Sequence, residues 1–120
     1  MGASAKDSEE TVKQYEIWWA GLPEPIGRRP VVLLTRSSAY EYLNKVIVAE
    51  ITTTVRNIPQ EVRLGKREGV RQRCVANLDN IHVVLKSALQ ERVGQLAFSR
   101  QREIKRALGY ALDWAELKLV

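Results

Sequence analysis

Between residues 15 and 85 the chain is a succession of short apolar runs, each broken off before it could complete three turns of helix, and this constrains its fold most. The run "KVIVAEITT", residues 45–53, is the most strongly β-branched. "YEIWWAGL", residues 15–22, sets Tyr15, Ile17 and Trp19 against Glu16, Trp18 and Ala20, the period of a pleated strand. "VVLLT", residues 31–35, is apolar almost throughout and reads as a strand covered on both faces. Pro30 opens it, a position where a missing amide is tolerated. "EVRL" follows, then "CVANL" and "IHVVL", joined so tightly at Asp79 and Asn80 that a bulge or sharp bend is expected. Five or six short strands in a row predict a small antiparallel barrel or sandwich, mainly β with some α.

The linking segments have signals of their own. "LPEPIGRRP", with three prolines and a glycine, is expected as a loop that carries Arg28 and Arg29. Ser38 with Glu41, and Ser87 with Gln90, have capping-box spacing; the first predicts a short helix over "AYEYLN". From Ser99 onward the period becomes helical, with Ile104, Leu108, Ala111, Leu112 and Ala115 along one side. Arg100, Arg102, Lys105 and Arg106 form the solvated face, and cations so early oppose the helix dipole, which makes that end a place to meet an acidic partner. Residues 1–13 are polar with no apolar h-region and read as a disordered tail, leaving 14–120 as one domain.

Charge and residue inventory narrow the chemistry. A formal charge of +5 and a pI near 9.6 steer nucleic acid or acidic protein segments toward the surface. Cys74 is the only cysteine, which excludes an intrachain disulfide and suits a reducing cytoplasm, and no apolar run approaches membrane-span length. Metal catalysis needs convergent ligands, and His82, Cys74 and scattered carboxylates have no such spacing, so neither metal nor cofactor is expected. The single histidine excludes a two-histidine ribonuclease and is assigned a structural or surface role. There is no Gly-rich phosphate loop, G-x-S-x-G elbow or dinucleotide fingerprint. An enzyme with this inventory must rely on arginine and hydroxyl groups. RNA permits that, because its own 2′-hydroxyl lies beside the scissile phosphorus and orientation with charge stabilisation supplies much of the rate. The requirement is an arginine and a threonine on neighbouring strand ends.

Four segments in order, "EIWWAGLP", "GRRPVVLL", "VIVAEITT" and "CVANLDNIHVV", resemble the MazF/PemK (Kid) toxin endoribonucleases of bacterial type II toxin–antitoxin systems, from about residue 15 to 115. The resemblance implies a small SH3-like β-barrel of the MazF/CcdB/Kid toxin type with a C-terminal helix, assembled as a homodimer in the bacterial cytoplasm. It implies an mRNA interferase, cutting single-stranded RNA at short motifs without metal to leave 2′,3′-cyclic phosphate and 5′-hydroxyl ends, and held in check by a small acidic antitoxin. The family's catalytic arginine precedes the proline of the second strand and maps to Arg29; its threonine closes the I-V-A-x-I-T strand and maps to Thr52. Arg28 is the expected substrate-binding companion, with Trp18, Thr53, Asp79 and Asn80 as an RNA-binding rim. Tyr15 stands where the family commonly has glycine, Gly21 where it has Asp or Asn, and the loop before the arginines is short, so no cleavage motif is carried over. Two other readings share the fold: a gyrase poison acting through the C-terminal helix, and an RNA-binding module that does not cut.

Overall fold

The computed structural model describes residues 12–120, and the expected tail over 1–13 lies outside the described residues except for its last two. Of these, Val12 packs against the core, and the Lys13 amide donates to Glu16 Oε1 at 3.1 Å. The six strands are β1 (Glu16–Leu22), β2 (Gly27–Leu33), β3 (Lys45–Thr52), β4 (Glu61–Leu64), β5 (Cys74–Leu85) and β6 (Leu89–Gln95), followed by helices α1 (Gln101–Leu112) and α2 (Ala115–Lys118). They form one curled antiparallel sheet in the order β4-β5-β3-β2-β1-β6. The predicted architecture is the one observed. No helix among the described residues is long and apolar enough to cross a membrane.

The β1–β2 hairpin reaches further than its prolines suggested. Its register runs from Ile17↔Val32 to Leu22↔Gly27, so only residues 23–26 turn, and Arg28 and Arg29 lie on a strand instead of in a loop. Gly27, at φ +76°, takes the left-handed backbone that lets the strand leave so tight a turn. Pairing of β2 with β3 begins only at Val31, so Pro30 leaves no gap in that ladder. In β5 the register passes from Ala49↔Ile81 to Glu50↔Asn77, which expels residues 78–80 as the expected bulge. Leu78 turns into the core there, and its amide reaches Gln60 O at 2.9 Å.

Neither capping-box spacing makes an α-helix. Ser37–Glu41 is a 3-10 turn without a side-chain cap, anchored by buried Ala39 and Tyr40. Lys86–Ala88 is another 3-10 turn, and Gln90 belongs to β6. That strand was not foreseen: "LQERVGQ" buries only Leu89 fully, as suits a polar edge strand that must not recruit a neighbour. Ser99 likewise does not cap α1, since Arg100 holds the N-cap position. Ile104, Leu108 and Ala111 face the core as the periodicity predicts, but Leu112 is 57% exposed and Asp113, in the left-handed region, ends the helix before Ala115.

Two apolar clusters lie on opposite faces of the sheet. One joins Ile17, Val32, Ala49, Ile51, Ala76 and Leu78 with Ile104 and Ala107 of α1. The other joins Trp18, Val31, Leu33, Tyr40, Val46, Val48, Val84 and Leu89. At about 1.5–3 kcal/mol per large side chain, burial on both faces lets so small a sheet outweigh its ordering entropy. The sheet edges β4 and β6 come together through the segment after β4: a Cβ on Gly69 would stand 2.5 Å from Val93 O, and one on Gly94 would overlap Glu68 O.

Candidate active-site cleft

Where these edges meet, the ends of β1, β2 and β3 open into a cleft of about 450 Å³. β1 gives it Trp19, β2 gives Arg28, Arg29 and Pro30, and the end of β3 gives Ile51, Thr52 and Thr53. Residues 69–72 form a further wall, with Cys74 and Val93 completing the lining. Val31 and Glu50 are the last paired residues of β2 and β3 at this end, and Arg29 and Thr52, each two residues beyond them, both line the cleft.

The side chains already have partial assignments. Arg28 lays its guanidinium over the Trp19 ring, 4.1 Å from the centroid, donates from Nε to Gln90 Oε1 at 2.7 Å and stands 3.8 Å from the Glu91 carboxylate. Stacked and tethered, it is held in a fixed plane, which suits a group that grips phosphate bidentately. Thr52 Oγ1 accepts the Thr54 amide at 3.1 Å, so its hydroxyl proton is left to be donated elsewhere. Burial, together with the charge of Glu68, pushes the Cys74 thiol above its ordinary pKa, and it stays neutral at pH 7.

Of the residues singled out from the sequence, Arg28, Arg29, Thr52 and Thr53 converge on the cleft. Trp18 does not: it is 3% exposed, inside the second apolar cluster, with its indole N–H given to Glu16 Oε1 at 3.0 Å. β1 lies between β2 and β6 and is covered on both faces, so alternation could not say which tryptophan is free; Trp19 is the one on the cleft. Asp79 and Asn80 are exposed on the β5 bulge and are not among the lining residues. Arg71 and Gln72 were overlooked, although their segment, "GKREGVRQR", was plain as a charged loop. His82 also stands apart from the cleft, its Nε2 2.9 Å from Glu50 Oε2 across the β3–β5 ladder. Among the described residues no three His, Cys, Asp or Glu side chains cluster as metal ligands.

A curled six-stranded antiparallel sheet with a C-terminal helix and an arginine–threonine cleft at its strand ends is the build of a small toxin domain. The chain belongs to the PemK-like, MazF-like toxin family of type II toxin-antitoxin systems, which matches residues 13–112. It is 41% identical over 99 residues to the probable endoribonuclease MazF5 of Mycobacterium tuberculosis, covering 82% of this chain and 90% of that protein. Endoribonuclease MazF3 of the same organism is 38% identical over 88 residues, covering 72% and 85%. Among solved structures, the Mycobacterium tuberculosis toxin MazF-mt6 superposes with a TM-score of 0.77 at 35% identity, covering 82% of this chain and 96% of that one. A mycobacterial endoribonuclease in complex with its cognate antitoxin shares the fold, with a TM-score of 0.74 at 22% identity and coverage of 86% and 96%.

Proposed function

We propose that this protein is the toxin of a type II toxin–antitoxin pair and a sequence-specific, metal-independent endoribonuclease acting on single-stranded RNA. The observation that carries the reading is the convergence of Arg29 and Thr52 in one cleft beside the Trp19–Arg28 stack. The 2′-hydroxyl attacks the adjacent phosphorus, the bond to the 5′-oxygen breaks, and the products carry a 2′,3′-cyclic phosphate and a 5′-hydroxyl. Arg29 balances the charge growing on the phosphorane and protonates the departing 5′-oxygen, taking a proton back from water; Thr52 donates a hydrogen bond to a non-bridging oxygen. No described carboxylate or imidazole lines the cleft, and in this scheme the 2′-hydroxyl proton passes to water. Arginine remains protonated at neutral pH, so it acts as cation and donor and not as base.

Around the reacting phosphate, Trp19 offers a stacking face, while Arg28 and Arg71 hold the backbone on either side. The protein acts as a homodimer in the bacterial cytoplasm, where its substrate is, and a small acidic antitoxin folds over the basic cleft to silence it. The relatives named endoribonuclease support the activity, and the relative solved with its cognate antitoxin supports the partner.

The test is incubation of wild type, Arg29→Ala and Thr52→Ala with a long single-stranded RNA in EDTA, mapping cuts and end chemistry. We expect site-restricted cuts with cyclic-phosphate ends, weakened at least about a hundredfold in each variant and stopped by the antitoxin. RNA left intact by wild type would overturn the reading and turn attention to gyrase.

A further inference from the structure

The cleft wall formed by residues 69–72 is fixed in part by groups outside the cleft lining. Glu68 immediately precedes it, and its side chain is only 6% exposed. Glu68 Oε1 accepts the Gly65 amide at 2.7 Å, and Oε2 accepts Arg100 Nη1 at 2.9 Å. Arg100, at the N-cap of α1, also donates from Nη2 to Arg63 O on β4 at 2.7 Å, and from Nε and Nη2 to the Glu103 carboxylate at 2.9 and 2.6 Å. One guanidinium thus joins β4, the turn after it and α1. On the other side Gly69, at φ +95°, lies too close to Val93 to accept a side chain, which pins the turn against β6. The strands flanking the segment end at Leu64 and restart at Cys74, so no ladder holds the residues between them.

We infer that Glu68 and Arg100 are positioning residues for RNA cleavage, setting where Val70, Arg71 and Gln72 stand and so how tightly, and at which sequence, RNA is held. This rests on the endoribonuclease reading. The pair is mostly buried and charge-assisted, and it has few substitutes. A glutamine at 68 must turn its NH₂ toward one of two donors, and a lysine at 100 cannot reach acceptors on three elements. A wall free to shift by about 1 Å spoils the fit of a bound nucleotide while Arg29 and Thr52 stay in place.

Glu68→Gln, Arg100→Lys and Arg100→Ala are compared with wild type by hydrogen exchange over residues 65–73, which needs no RNA, and by cleavage of single-stranded RNA in EDTA. We expect exchange there about tenfold faster with β3 unchanged, KM raised about tenfold with kcat within about twofold, and cuts at additional sites. Arg100→Lys should recover part of the KM lost in Arg100→Ala. Unchanged exchange would overturn the clamp. Faster exchange with wild-type KM and site choice would overturn its role in holding RNA, as would a drop in Tm and kcat with KM unmoved. A wild type that leaves RNA intact overturns the cleavage reading and the positioning role with it, while the exchange result still reports separately on the clamp.

Discussion

Replacing Trp19 with alanine removes the ring under Arg28 and one wall of the cleft. Base–aromatic stacking contributes about 1–3 kcal/mol per base, so in the slow-cutting Thr52→Ala background RNA affinity should fall about five- to 150-fold, read by fluorescence anisotropy. Trp18→Ala acts on stability instead. It empties a buried site and leaves Glu16 without its indole donor, for an expected loss of about 3–5 kcal/mol in chemical denaturation. The opposite pattern, with Trp18→Ala stable and Trp19→Ala binding normally, would return Trp18 to the RNA face. The two residues show where reading by residue type stops. That Arg29 and Thr52 share one cleft was legible through the resemblance, which maps them to the residue before a proline and to the end of a β-branched strand. The choice between adjacent tryptophans depends on the second apolar cluster, with Tyr40 and Leu89, covering the Trp18 face of β1, and no local pattern encodes that packing. Asp79 and Asn80 were legible as a bulge, but which way a bulge faces is settled by the strands around it.

At the scale of elements, α1 was visible from its period, while its start was misread because Ser99 offered a cap that Arg100 displaced. A capping box needs a helix long enough to gain from it, and at Ser38 and Ser87 the chain turns away after a single 3-10 turn. At the head of α1 the Glu103 carboxylate is held below the usual glutamate pKa, chiefly by the hydrogen bond from Arg100 and despite partial burial. A lowered folded pKa means that the Arg100–Glu103 contribution is complete above the ordinary glutamate range and disappears as pH falls through the depressed value. Tm measured downward from neutral pH should therefore fall below about pH 5, less steeply in Glu103→Gln than in wild type. Because Glu103 is 37% exposed, solvent screens the pair and the difference should be small. Parallel acid limbs in the two proteins would show that Glu103 carries none of it.

For the whole molecule, six strands too short to be stable singly gain from a sheet buried on both faces, and its closure by the Gly69–Val93 approach brings the cleft walls together. The sequence showed most strands but not this closure, because it depends on two glycines far apart in the chain meeting backbone to backbone. The same closure brings Arg71 into one cleft with Arg28 and Arg29, so part of the +5 charge lines one groove. A single strand threading that groove releases counterions from each phosphate it gives up to an arginine, and log Kd should vary linearly with log salt. For single-stranded nucleic acid each such contact adds about 0.7 to the slope, so Arg71→Ala in the Thr52→Ala background should flatten it by about 0.7. The weakening should be nearly independent of RNA sequence, since a phosphate contact carries no base information. An unchanged slope with lower affinity would place Arg71 on a base edge instead, and the loss would then differ from one RNA sequence to another.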